Sequence, residues 1–406
     1  MVDARIDVAI LGGGLAGGLT ALALAARRPD LRVMLVEAGE VIGGNHVWSF
    51  FLPDVPPSLR WLVRPLVVGR WDGYRVAFPR HERRLETAYR SITSERLDAV
   101  VREALPEGAI LTGARVVACD RRGFKLADGR EFAAGCVIDA RGAREFPGLV
   151  GGWQKFVGQM LRLDAPHGLD GPVVMDAAVA QRDGFRFVYV LPFGPDRVFV
   201  EDTYYSTSPV VERDRLAAGI AEYAAGRGWR IAAVEGEEQG LLPVVAGGDP
   251  AALLSQQAGV ARIGVAAGLF HPLTGYSLPI AARVAAMIAD LPDMSGGAVA
   301  AAVSARARAH WRGGWYYRLL ARMAFGAAVP ARRYRVFERF YGLRAGLIER
   351  FYAGGSSLAD RARILAGRPP VPVGAAVACL LGGGLPLARL DDITPPHPAS
   401  AGKDWA

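Results

Sequence analysis

Residues 6–40 read IDVAILGGGLAGGLTALALAARRPDLRVMLVEAGE, and the architecture turns on them. An apolar run meets a glycine turn, an Ala/Leu-rich stretch with helical spacing follows, and a second apolar run closes on Glu37. That is a strand, turn, helix, strand unit. Gly12, Gly14 and Gly17 stand in G-x-G-x-x-G spacing, with Leu15 and Ala16 between the last two. The first glycine allows the tight turn, the second lets a pyrophosphate approach the backbone, and the third lets the helix pack closely on the strand. The start of the helix offers unpaired N–H groups to an anion. Glu37 suits the hydroxyls of a free ribose better than a 2′-phosphate, so the expected adenosine belongs to FAD or NAD and not to NADP.

With 406 residues, 51% hydrophobic and 22% charged, the chain can bury the cores of about two domains. Cys119, Cys136 and Cys379 are far apart without CxxC spacing, so neither a disulfide framework nor a zinc site is expected, and a reducing cytosol is the simplest setting. The first strand begins at Ile6, leaving no room for a secretory leader ahead of it. The uncharged run PPVPVGAAVACLLGGGLPLA (369–388) nears the roughly 20 residues a bilayer span needs. Its four prolines and four glycines argue instead for a buried or surface segment.

The net charge of +8 is regional. Between Arg306 and Arg368 lie 14 Arg, no Lys and only Glu338, Glu349 and Asp360, a local balance of +11 that leaves the rest of the chain slightly acidic. The same segment holds 11 aromatic residues, among them Trp311, Trp315, Tyr316, Tyr317, Phe337, Tyr341 and Phe351. Such a segment is either a helical region with rings in its core or a surface for anionic lipid or nucleic acid.

Along the chain, SITSERLDAVVREALPEGA (91–109) starts with a Ser/Thr cap and runs helical, and strands follow to CVIDARG (136–142), which returns to the first sheet. The runs FVGQMLRL, GPVVMDA, GFRFVYVL and RVFVEDTYY, between residues 156 and 205, predict an antiparallel sheet inserted into the first domain. A helix near 211–226 and a strand through GLLPVV come next. Then ARIGVAAGLFHPLTGYSLPIAARVAAMIAD (261–290) gives a strand, a Gly/Pro loop and a helix from about Ser277, whose N-terminus suits an anionic ring system.

This order resembles the FAD-dependent family of aromatic hydroxylases, squalene epoxidases and geranylgeranyl reductases over most of the first 290 residues. The resemblance implies an α/β fold: an FAD-binding Rossmann-type domain from 1–150 and 255–295, an antiparallel β-sheet substrate domain at 151–254, and a C-terminal helical region at 296–406. It also implies flavin contacts from Arg96 and from the late loop at Gly264, Pro272, Thr274, Gly275 and Tyr276. That family usually has Gly-Asp before the loop, with the Asp on the ribityl chain, whereas here the pair is Gly264-Val265. Ribityl binding then falls to backbone or to other residues. GGNHVWSF (43–50), HGLDGPVVMDA (167–177), FVEDTYY (199–205), GLFHPLTGYSLP (268–279) and RFYGL with LIERFYAG (339–354) together resemble the bacterial lycopene β-cyclases across nearly the whole chain. Those cyclases also lack the Asp. The resemblance implies conversion of the linear ends of lycopene to β-rings, giving β-carotene through γ-carotene, with FAD in reduced form, NAD(P)H as electron source and no net redox change.

Glu201 and Asp202 sit inside RVFVEDTYY. Ring closure on a polyene needs a proton donated to the terminal double bond, a cation kept from water and a proton removed from the neighbouring carbon. A carboxyl among apolar and aromatic side chains has its charged form disfavoured, which raises its pKa toward that of a useful acid. Strand alternation puts Glu201 with Phe199 and Thr203, and Asp202 with Val200 and Tyr204. The resemblance assigns acid/base catalysis to Glu201, with Asp202 as its positioning partner. Tyr189 or Tyr204 offers aromatic faces to a cation. His271 beside Pro272 reads as structural.

Two other readings stay open: a flavin monooxygenase or reductase acting on an isoprenoid, which would consume NAD(P)H stoichiometrically, and a non-catalytic isoprenoid binder of the Rab GDP-dissociation inhibitor kind. A lycopene enzyme must draw its substrate from a bilayer, so the Arg/aromatic segment is expected to meet a membrane surface, peripherally and on the cytoplasmic side, and not nucleic acid. No stretch points to a protein partner or a metal.

Overall fold

The computed structural model describes residues 6–143, 145–255, 259–367 and 370–391; Arg368, Pro369 and the ends of the first and last expected segments lie outside the described residues. Strand β1 (Ile6–Leu11), helix α1 (Leu15–Arg27) and strand β2 (Val33–Val36) form the predicted unit. Strand Glu131–Asp139 pairs parallel with β1, so the CVIDARG segment does return to the first sheet. Parallel strands Ile110–Leu111 and Ala261–Arg262 extend it, and Val116–Asp120 with Gly123–Leu126 add an antiparallel edge. The sheet is covered by α1, by helix Ser94–Ala104, which Thr93 caps through the backbone N–H of Arg96, and by helix Leu278–Ala289.

The second sheet is built on the 15-residue strand Leu149–Leu163, flanked antiparallel by Arg197–Ser206 on one side and Ile231–Gly248 on the other. Phe185–Pro192 and Val173–Asp176 continue the order. The structure departs here from the expected 151–254 span. A hairpin of Tyr74–Phe78 and His81–Leu85 completes one edge, pairing parallel with Val173–Asp176, and Ala388–Arg389 pairs with Val150 and Gly151. The hairpin joins because Tyr74, Val76 and Phe78 alternate inward onto the aromatic core while their neighbours stay more exposed.

Helix Arg213–Gly226 covers one face of this sheet, closing a core with Val188, Val200 and Tyr204. The other face packs against the first domain and the C-terminal helices. The aromatic residues of 306–367 are mostly core: Tyr316, Tyr317, Phe325, Phe337, Tyr341 and Phe351 are buried in one cluster with Phe185 and Tyr205. The expectation of rings laid out at a lipid interface fails for these, because their burial against the sheet satisfies the apolar faces first; Trp315 alone among the tryptophans of the described residues is exposed. The uncharged C-terminal run forms the short helix Val373–Leu380, and no helix among the described residues is long and apolar enough to cross a membrane.

Candidate active site

The glycine turn has the shape of a dinucleotide cradle. Gly12 holds φ +100°, and a Cβ there would meet the Ala140 carbonyl oxygen at 2.7 Å. A Cβ on Gly17 would fall 1.9 Å from the Gly12 carbonyl oxygen, so this glycine is required by the packing of α1 on the turn. Gly14 differs: a Cβ there would meet nothing within 4 Å, which leaves open space in front of α1 for an anion. Glu37 is fixed by the N–H groups of Gly13 (2.6 Å) and Gly39 (2.8 Å), and these hold its carboxylate at the mouth of the turn.

The late loop is brought to the same place. Gly264, at φ +69°, comes so close to α1 that a Cβ would lie 3.0 Å from that of Ala16. Val265, where the wider family carries Asp, is apolar and packs in a cluster with Phe146 and Phe270. Gly275, at φ +68°, seats the loop on Leu242 of the second sheet, and the Val245 N–H donates to the Pro272 carbonyl. The Tyr276 N–H faces Thr274 Oγ1 at 3.4 Å. His271 is buried, and burial pushes its ring down to about 3, so it is neutral and fits the structural reading. Arg96 is exposed at the start of its helix, with Nε donating to the Pro65 carbonyl at 2.8 Å.

Glu201 stands on the face of the second sheet that looks toward the aromatic core. Its neighbour across the next strand is Tyr189, whose hydroxyl lies 2.8 Å from that of Tyr89. Thr203 Oγ1 donates a short hydrogen bond to Glu201 Oε1. Burial, then the nearby carboxylate of Glu238, push the Glu201 carboxyl up to about 8. A carboxyl in this state still carries its proton at neutral pH.

Asp202 faces the other way. It is fully buried under helix Arg213–Gly226, with Oδ1 accepting from Arg186 Nε and Oδ2 accepting from the Tyr204 hydroxyl at 3.1 Å. The structure therefore corrects the catalytic assignment of Asp202: strand alternation puts the sheet itself between this carboxylate and the Glu201 face, and its bonds are all spent on Arg186 and Tyr204. Tyr204 lies on that far face too and offers no ring to the site, whereas Tyr189 does.

Two groups that the sequence reading did not single out complete the site. On the strand Leu149–Leu163, Gly158 is the partner of Glu201 on one side and of Glu238 on the other, so the two carboxylates share a row. Glu238 is buried, accepting from the Val47 N–H at 3.2 Å and lying 2.9 Å from His46 Nδ1. A signal was present, since His46 falls inside GGNHVWSF, but Glu238 is hidden in the acidic run EGEE, which does not read as a strand.

A family model described as lycopene cyclase protein matches residues 7–378. Lycopene β-cyclases from Pseudescherichia vulneris and from a Paracoccus strain are 46% and 45% identical to the chain, covering 91% and 92% of it and 96% and 97% of their own length. The chain belongs to the lycopene cyclase family. Among solved structures, this family member resembles HpxO of Klebsiella pneumoniae in complex with FAD and uric acid, with a TM-score of 0.59, 15% identity and coverage of 92% of this chain and 99% of that one. It also resembles a geranylgeranyl bacteriochlorophyll reductase-like protein of Thermoplasma acidophilum, with a TM-score of 0.55, 15% identity and coverage of 90% and 97%. At such identities the likeness is one of fold.

Proposed function

We propose that the chain is a lycopene β-cyclase that closes the linear ends of lycopene to β-rings, producing β-carotene by way of γ-carotene without net oxidation or reduction. The observation that carries the reading is Glu201, a carboxyl protonated at neutral pH on the aromatic face of the substrate sheet. Its proton goes to the terminal double bond, the neighbouring double bond attacks the resulting tertiary cation, and a proton leaves the ring carbon to the Glu201 carboxylate. Proton count is unchanged over the cycle. Tyr189 and Tyr89 offer ring faces to the cation, and the apolar surroundings keep water from quenching it.

Gly12, Gly14, Leu15, Ala16, Gly17 and Glu37 suit the adenosine diphosphate half of FAD, with the loop from Gly264 through Pro272 to Tyr276 against the flavin half. Reduced FAD supplies an electron-rich neighbour for the cation, with NAD(P)H as the source of its electrons. A peripheral position on the cytoplasmic membrane surface follows from a water-insoluble hydrocarbon substrate. In support, Val373, Val377, Leu380 and Leu381 are exposed on and after one short helix, and Arg332, Arg335 and Arg363 are exposed in the basic segment. Anaerobic incubation of the purified protein with lycopene liposomes and reduced FAD tests the reading: β-carotene should form without stoichiometric NAD(P)H consumption. Oxygenated or hydrogenated products in its place would sink it.

A further inference from the structure

The row that joins Glu201 to Glu238 has a way out to solvent. Gly158 carries no side chain between them, and the space a Cβ would take is closed by the Phe199 ring at 2.3 Å and by Glu238 Cγ at 3.3 Å. The Glu238 side chain thus borders the space over the glycine, beside the Phe199 ring. Its Oε2 lies 2.9 Å from His46 Nδ1, and the His46 side chain is 42% exposed. The segment bearing His46 is pinned to the same strand, because Asn45 Nδ2 donates to the Glu237 carbonyl at 2.7 Å.

We propose that Glu238 and His46 form a proton-positioning pair for Glu201, with Glu238 holding the acid in its protonated state and His46 exchanging that proton with solvent between turnovers. The proposal rests on the cyclase reading above. Glu201 is met by Glu238, Thr203 and Tyr189, with Asp202 behind the sheet, while Glu238 is met by His46 and, at longer range, by Glu95; Tyr189 in turn bonds Tyr89, and the adjacent Glu237 is paired with Arg213. Burial raises the Glu238 carboxyl too, and the His46 contact and the Val47 N–H work against that rise; the negative charge they favour on Glu238 opposes ionisation of Glu201, so the acid keeps its proton until substrate takes it. No oxidant or reductant enters. The proton given to the terminal carbon is replaced by the one leaving the ring carbon, and the His46 route lets either exchange with water.

The test has one arm that needs no turnover. Difference infrared titration of the FAD-loaded protein, with the Glu201 carboxyl band identified by its loss in Glu201→Gln, should show deprotonation at about pH 8 in the wild type. In Glu238→Gln that midpoint should fall by about one pH unit or more. Glu238→Asp, which keeps the charge, should restore it and serves if the Gln variant folds poorly. In the second arm, turnover in deuterium oxide should give about one deuterium per ring in the wild type and clearly less in His46→Ala, because the returned substrate proton is reused; added imidazole should restore the label. An unchanged Glu201 midpoint in Glu238→Gln, or unchanged label in His46→Ala, overturns the proposal. A wild type that makes no rings would instead overturn the cyclase reading, leaving the infrared result to stand by itself.

Discussion

Asp202 Oδ1 accepts a 2.7 Å hydrogen bond from Arg186 Nε in the layer between the second sheet and helix Arg213–Gly226, and both side chains are buried. Removing one member strands the other charge away from water, at a cost of about 3–5 kcal/mol. Asp202→Ala should therefore lower the melting temperature strongly. The cyclisation rate per folded molecule, and its pH profile, should stay within a few fold of wild type. A specific loss of rate in protein that melts normally would return Asp202 to the chemistry.

Glu201→Gln keeps the shape of the acid without its proton. Cyclisation should fall by about 10² to 10⁴, the usual contribution of a general acid, while flavin binding and lycopene uptake persist. In the wild type, activity should hold at neutral pH and decline as pH rises through about 8, since the acid form is the active one. Product chromatography across a pH series checks both statements.

Gly14 and Gly17 separate ligand space from fold space. Gly14→Val places a side chain in the opening in front of α1, so FAD affinity should collapse with little change in melting temperature. Gly17→Ala drives a methyl into the Gly12 carbonyl, so about 1–3 kcal/mol of stability should go first. Flavin fluorescence titration beside thermal melting distinguishes the two, and equal effects on both would remove the cradle assignment.

Asp54 carries a pH signature. It is fully buried facing the Tyr276 hydroxyl, and burial pushes its carboxyl up to about 7. The unfolded chain releases that proton at about 3.9, so between these values the native state holds more protons and stability falls as pH rises. Asp54→Asn should remove this slope, making its melting temperature rise relative to wild type from pH 5 to pH 8. A constant difference across that range would contradict the assignment.

Membrane contact should depend on the exposed apolar helix more than on the aromatic residues of the basic segment, which are mostly core. Val377→Asp with Leu381→Asp should cut flotation with anionic liposomes several fold without affecting folding. Trp315→Ala should do less.

What could be read from the chain alone was whatever is local. The β1–α1–β2 unit, the cap at Thr93, the helix after Ser277 and the alternation that separates Glu201 from Asp202 all follow from residues a few positions apart. Glu238 was out of reach because its role depends on register: it meets Glu201 only through Gly158, some 80 positions before it in the chain by number. The hairpin Tyr74–Leu85 was missed for a related reason. Its alternation is legible, but the sheet edge that accepts it is formed a hundred residues later by Val173–Asp176. The aromatic residues of the basic segment could not be divided between core and surface by composition, since helical spacing fits either.

Neither sheet is finished by a continuous stretch of chain: the first waits for Ala261–Arg262, and the second draws on the hairpin at 74–85 and on Ala388–Arg389 beside Val150 and Gly151. The first layer can therefore close only after residue 262 has left the ribosome and the second only after residue 389, so assembly is governed by contacts of long sequence separation, which form slowly. Expressing the nucleotide-binding and substrate halves as separate pieces would leave open sheet edges on both. Cells making this protein in quantity are accordingly served by lower temperature and abundant chaperones during synthesis.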